Sequence, residues 1–74
     1  MPHVNIKYFP VPLTETQASA LLTAVTAAVT GAFGVSEDVV SIALEPVPAE
    51  DWRERVYVPE IQGRADLLRK PPNY

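Results

Sequence analysis

A proline stands directly behind the first methionine, in MPHVNIKYFP. Inside a strand a proline offers the ladder no donor, but at position two that loss costs little. Removal of Met1 would leave Pro2 as a free secondary amine, and a terminal amine is one of the few groups that titrate near neutral pH. Shelter among apolar groups disfavours the protonated form, lowers the pKa and makes such an amine a usable base. A base whose pKa lies near the working pH contributes a factor of about 100 to 10,000 in rate. With Met1 retained, the same nitrogen is an amide and has no basic lone pair. The chemistry-free alternative is that Pro2 only protects the terminus or starts a strand.

Few other side chains invite a catalytic role. His3 adjoins Pro2, and histidine is the side chain that ordinarily changes charge near neutral pH. Trp52 stands among charges in the proline-punctuated stretch PVPAEDWRERVYVPEI, where it reads as the wall of a pocket as readily as a core residue. Arg53 and Arg55 flank it, and a guanidinium suits a forked contact with a carboxylate, although a solvated surface arginine is the commoner case. The phenols of Tyr8, Tyr57 and Tyr74 are donors without an assigned place.

These groups need elements to hold them. From His3 to Phe9 the residues alternate, with Val4, Ile6 and Tyr8 against His3, Asn5 and Lys7, which predicts a half-buried strand ended by Pro10 and Pro12. Thr14 and Gln17 have the spacing of a capping box, so a helix is expected to start there. Leu21, Leu22, Val25, Ala28, Val29 and Ala32 form its apolar stripe, and Gly34 stops it. Its other side carries Ser19, Thr23, Thr26 and Thr30, polar but uncharged, and reads equally as a face partly covered by a neighbouring subunit or as an exposed threonine row.

Val39 to Leu44 alternates again and predicts a second strand. Strand, helix, strand implies a parallel pair joined by a right-handed crossover. Beyond Glu45 the pattern predicts a short helical turn over Ala49 to Arg53. A final helix opened by Pro59, with Ile61, Ala65 and Leu68 inward, is expected to follow. KPPNY closes the chain in extended form.

The fold class is therefore α+β: one β-α-β unit over residues 1–74, with a short C-terminal helix. Such a chain buries only about 60 to 65% of its unfolded surface. It has no cysteine, and so no disulfide or Cys/His cluster to reinforce it. A parallel pair and one helix do not close a core, because roughly three strands or further packing are needed. A second copy is the expected completion, giving a four-stranded sheet with both helices on one face.

A net charge of −3, without clustered Lys and Arg before Arg53, argues against a nucleic-acid surface. Ala18 to Val35 carries no charge, yet its Ala and Thr content and two glycines argue against a membrane span. The absence of cysteine and of a secretory-type leader suggests the cytoplasm. Nothing in the chain asks for a cofactor or a metal.

MPHVNIKYFP, the helix capped at Thr14, VSIALEPV, the tryptophan that follows it and IQGRADLLRKPPNY together resemble the tautomerase superfamily, in its small 4-oxalocrotonate tautomerase-like group. The resemblance covers essentially the whole chain. It implies a β-α-β protomer that forms homodimers, in some members hexamers, acting without a cofactor. It also implies an amino-terminal proline that moves protons between enol and keto forms of a small 2-oxo acid. On that resemblance Pro2 is the catalytic base and acid, and Trp52 lines the pocket. The two arginines that bind carboxylate and polarise the carbonyl fall on Pro12 and Ser41, so both are missing. Since losing one such donor costs about 100-fold, Ser41 or Arg53 is expected to substitute as a substrate-binding residue. Hydration or dehalogenation of an unsaturated acid by the same proline is the alternative enzyme reading. A non-catalytic dimeric module is the alternative if Met1 stays.

Overall fold

In the computed structural model, which describes residues 1–74, β1 spans His3–Tyr8 and β2 spans Ser41–Pro46. They pair in parallel, with His3 opposite Ser41 and Tyr8 opposite Pro46. The pairing puts Val4, Ile6, Ile42 and Leu44 on one face, all half-buried, and His3, Asn5, Lys7, Ser41, Ala43 and Glu45 on the other. β1 stops one residue before the expected Phe9, because the residue ahead of Pro10 is restricted and Pro10 cannot donate. β2 starts two residues later than the alternation suggested. The Ser36 hydroxyl accepts the Asp38 N–H at 3.1 Å and winds Glu37–Val39 into a 3-10 turn, which removes Val39 from the strand.

Between the strands runs α1, Glu15–Phe33. Its start is the expected capping box: Gln17 N–H donates to Thr14 Oγ1 at 3.1 Å, and Thr14 N–H donates to Gln17 Oε1 at 3.0 Å. Its end is Gly34, at φ 66° and ψ 38°, donating its N–H to the Thr30 carbonyl at 2.9 Å. Only glycine takes that left-handed conformation at no steric cost. The apolar stripe is narrower than its spacing suggested. Leu21, Val25 and Val29 are half-buried together with Ala18, whereas Leu22, Ala28 and Ala32 are exposed. Thr26 and Thr30 are half-buried, and Ser19 and Thr23 are exposed. Thr30 Oγ1 donates back to the Thr26 carbonyl at 2.9 Å, so one hydroxyl of that row is satisfied within the helix.

The C-terminal region departs most from its sequence pattern. After a 3-10 turn at Ala49–Asp51, a helix runs over Arg53–Gln62 with π winding, i→i+5, and Pro59 inside it. A proline in an α-helix presses on the carbonyl four residues back and leaves it without a donor; a wider turn relieves that crowding. The expected helix starting at Pro59 is thus replaced by one that begins six residues earlier and ends at Gly63, whose N–H donates to the Val58 carbonyl at 2.8 Å. A second 3-10 turn, Ala65–Leu67, and an irregular tail follow.

The enclosed core is two residues, Val47 and Val56, at 0% and 5% exposure. Val47 extends β2 by donating its N–H to the Tyr8 carbonyl at 2.8 Å. It shares the strand parity of Glu45, so this core lies on the sheet face opposite Val4 and Ile42. No residue of α1 is fully buried. The chain exposes 5699 Å² at 8.1 kDa, about 1,200 Å² more than a compact monomer of that mass. Its radius of gyration, 13.9 Å, exceeds the ~11 Å of a compact domain of this length.

Candidate active site

Pro2 sits half-buried just before β1, and its carbonyl accepts the Ser41 N–H at 3.2 Å. The parallel ladder thus holds the proline against the first residue of β2. Met1 is fully exposed beyond it. On the face away from Val4, His3 Nδ1 and Ser41 Oγ lie 2.6 Å apart across the strands, a short hydrogen bond between exact register partners. Asn5 and Ala43 continue this face and are exposed, so the sheet beside Pro2 is open on that side.

The far end of the same face is covered. Phe9 meets Trp52 edge to face, with ring centroids 5.0 Å apart and planes at 87°. Trp52 is helical, at φ −58° and ψ −47°, within the helical turn expected over Ala49 to Arg53. Its indole Nε1–H donates to Tyr74 Oη at 3.2 Å, and Tyr74 packs at a tilt on Tyr57 with centroids 5.9 Å apart. The Arg53 guanidinium stands 5.5 Å from the Tyr57 ring centroid. Trp52, Arg53, Tyr57 and Tyr74 line a cavity of about 320 Å³. Apolar rings beside one guanidinium suit a flat ligand carrying a carboxylate. A larger depression along α1, lined by Glu15, Thr16, Ser19 and Ala20, has no convergent chemistry.

Arg55, the other arginine flanking the tryptophan, is committed elsewhere. It reaches Glu45 at 3.4 Å and Asp51 at 3.8 Å. Lys7 reaches Glu60 at 2.8 Å and Glu45 at 3.7 Å, and Asn5 Nδ2 donates to Glu45 at 3.1 Å. These contacts tie the C-terminal helix to the second face of the sheet. Asn5, then desolvation in the opposite sense, then Lys7 and Arg55 act on Glu45, and their balance holds its carboxyl below the ordinary value. The Glu60 hydrogen bond leads the influences that raise Lys7 above its usual value. All these groups face solvent, so each pair contributes little alone.

The residues read from the sequence therefore form two groups. Pro2 and Ser41 meet at one end of the strand pair, with His3 joining them; Trp52 and Arg53 meet at the other. Phe9 lies seven positions beyond Pro2, at the other end of β1, roughly 23 Å of extended chain. His3 and Ser41 share a face because of register, which neither strand discloses by itself. Phe9, Tyr57 and Tyr74 carried no usable signal beyond being aromatic.

A family model described as Tautomerase enzyme matches residues 2–56, which include Pro2, both strands and Trp52. Over 74 residues the chain is 34% identical to Tautomerase PptA of Pectobacterium carotovorum subsp. carotovorum (strain PC1). It is 39% identical to Tautomerase PptA of Enterobacter sp. (strain 638) and 34% to that of Escherichia coli O9:H4 (strain HS). Each alignment covers 100% of this chain and 97% of the relative.

Proposed function

The chain belongs to the tautomerase family, and on that footing we propose that it interconverts the enol and keto forms of a small 2-oxo acid, with Pro2 as the base and acid once Met1 is removed. The free prolyl nitrogen takes the enol hydroxyl proton, and the O–H electrons become the second bond of the carbonyl. The carbon–carbon π pair takes a proton from the resulting ammonium, which regenerates the amine. One proton has moved and nothing else is consumed. This is chemistry of the 4-oxalocrotonate tautomerase type, in the cytoplasm and without a cofactor. The observation that carries it is Pro2 itself, within the matched residues, half-buried and pinned by its carbonyl to the Ser41 amide.

Negative charge gathers on the enolate oxygen during this transfer, and preorganised donors aimed at it lower the barrier. Ser41 stands beside Pro2, and Arg53 supplies a guanidinium next to Trp52, so these two take over from the absent family arginines. Arg53 and Trp52 lie too far along the sheet to serve the same protomer's Pro2. We place them in the site of a second copy. A two-fold axis normal to the sheet runs neighbouring strands antiparallel and brings one protomer's Pro2 end beside the far end of the other. The surplus of about 1,200 Å² per chain exceeds the ~800 Å² per partner of a standard interface. The resulting homodimer has a four-stranded sheet.

Intact mass of the purified protein establishes whether Met1 has been removed. Ketonisation of phenylenolpyruvate and of 2-hydroxymuconate is then followed for the wild type and Pro2→Ala. A fall of about 100-fold or more in the variant is expected; equal rates refute the role of the proline.

A further inference from the structure

The geometry points to His3 and Ser41 acting as one proton-switched hydrogen-bond donor beside Pro2: His3 holds the serine hydroxyl in the orientation that donates to the anionic oxygen of the substrate. The inference rests on the proline reading above and adds to it a positioning residue, His3, and the state in which Ser41 works. Three features support it. Nδ1 and Oγ are 2.6 Å apart, a hydrogen bond slightly shorter than the usual nitrogen–oxygen range. The two residues are register partners on adjacent strands, so backbone pairing fixes their separation. The Ser41 N–H is bonded to the Pro2 carbonyl, which keeps the pair next to the proline.

A hydroxyl has one proton to give. When His3 is an imidazolium, or a neutral ring protonated at Nδ1, the ring donates to Ser41 Oγ and the serine O–H is free to point outward. When the neutral ring carries its proton on Nε2, Nδ1 accepts the serine proton and the outward donor is lost. The imidazolium admits only the first arrangement, so loss of its proton removes part of the donor population.

The surroundings leave this switch to His3. Across the strands on its face stand Ser41 and Ala43, and Asn5 follows it on β1; none is charged. Lys7 and Glu45 come next, four residues along, about 13 Å away, where Glu60, Arg55 and Asp51 join them. Glu37 and Asp38 occupy the turn that leads into β2. The prolyl amine governs the opposite limb of the profile, because it must be unprotonated to act as base.

The test is kcat/KM against pH, with phenylenolpyruvate as the probe, for wild type, Pro2→Ala, Ser41→Ala, His3→Ala and His3→Asn. Circular dichroism checks that each variant, altered at an exposed position or at the strand end, retains its fold. Asparagine places an amide N–H near the position of Nδ1–H and does not titrate. Ser41→Ala and His3→Ala are expected to lose roughly tenfold or more, and their double variant to lose no more than Ser41→Ala alone. His3→Asn is expected to keep most of the rate while losing the alkaline limb and keeping the acid one. If Pro2→Ala is inactive but His3→Ala keeps the wild-type rate and profile, the pair has no such role and the proline reading stands. If His3→Asn is as slow as His3→Ala, or retains the alkaline limb, the donor switch is refuted. Equal activity of Pro2→Ala and wild type overturns both readings.

Discussion

Mixing two defective variants tests whether the site is built from two copies. Pro2→Ala removes the base, and Trp52→Ala removes the wall that meets Phe9 at a centroid distance of 5.0 Å. About 23 Å of extended chain separates Pro2 from Phe9, on which Trp52 packs, farther than a small 2-oxo acid can bridge. In a two-fold dimer each site then takes Pro2 from one chain and Trp52 from the other. A heterodimer of the two variants carries both defects in one site and neither in the other. Random reassortment at equal concentrations makes half of the dimers hetero, so about a quarter of the wild-type activity returns. Equal amounts of the variants are unfolded together, refolded and assayed for ketonisation at substrate well below KM, against each variant refolded alone. Recovery toward a quarter supports the shared site. Activity no greater than the mean of the separate variants refutes it, because a site contained in one protomer stays broken in every combination.

Three further outcomes follow from the packing. Val47→Ala empties space around the one fully enclosed side chain and is expected to cost about 2 kcal/mol; urea unfolding at fixed protein concentration reads it, and a loss below about 0.5 kcal/mol contradicts the placement of the core. At Gly63 an added Cβ would lie 2.9 Å from the Val58 carbonyl oxygen and 3.0 Å from that of Pro59, both backbone atoms, so Gly63→Ala is expected to cost about 1–3 kcal/mol and to loosen the C-terminal helix, which faster proteolysis there would register. Glu45, with its folded pKa depressed, contributes stability that is complete above the ordinary value of 4.5 and lost as pH falls through the folded value. Lys7, raised, contributes below 10.5 and loses it as pH climbs through its folded value. Trp52 fluorescence is therefore expected to change below pH 4.5 in the wild type and to lose that transition in Glu45→Gln; an identical acid transition in both proteins would remove Glu45 from the account.

Much of the fold is written locally. The alternation of β1, the Thr14–Gln17 box and the stop at Gly34 depend on neighbours within a few residues, so composition and spacing suffice to read them. The chemistry proposed for Pro2 likewise starts from a local fact, its place directly after Met1. The sequence also carries the shortage of core, since no arrangement of one helix and two strands encloses these apolar side chains.

Other features exist only once distant segments meet. His3 and Ser41 stand 38 residues apart, and parallel register alone makes them a pair. Arg53 and Arg55 look equivalent in the chain, yet one faces Tyr57 and the other is held by Glu45 and Asp51. The helix around Pro59 takes π winding because its carbonyls must clear a ring, a constraint that helical spacing does not express. The separation of Pro2 from Trp52 is likewise a consequence of strand length and direction, and it turns a pair of candidate residues into an argument for two chains.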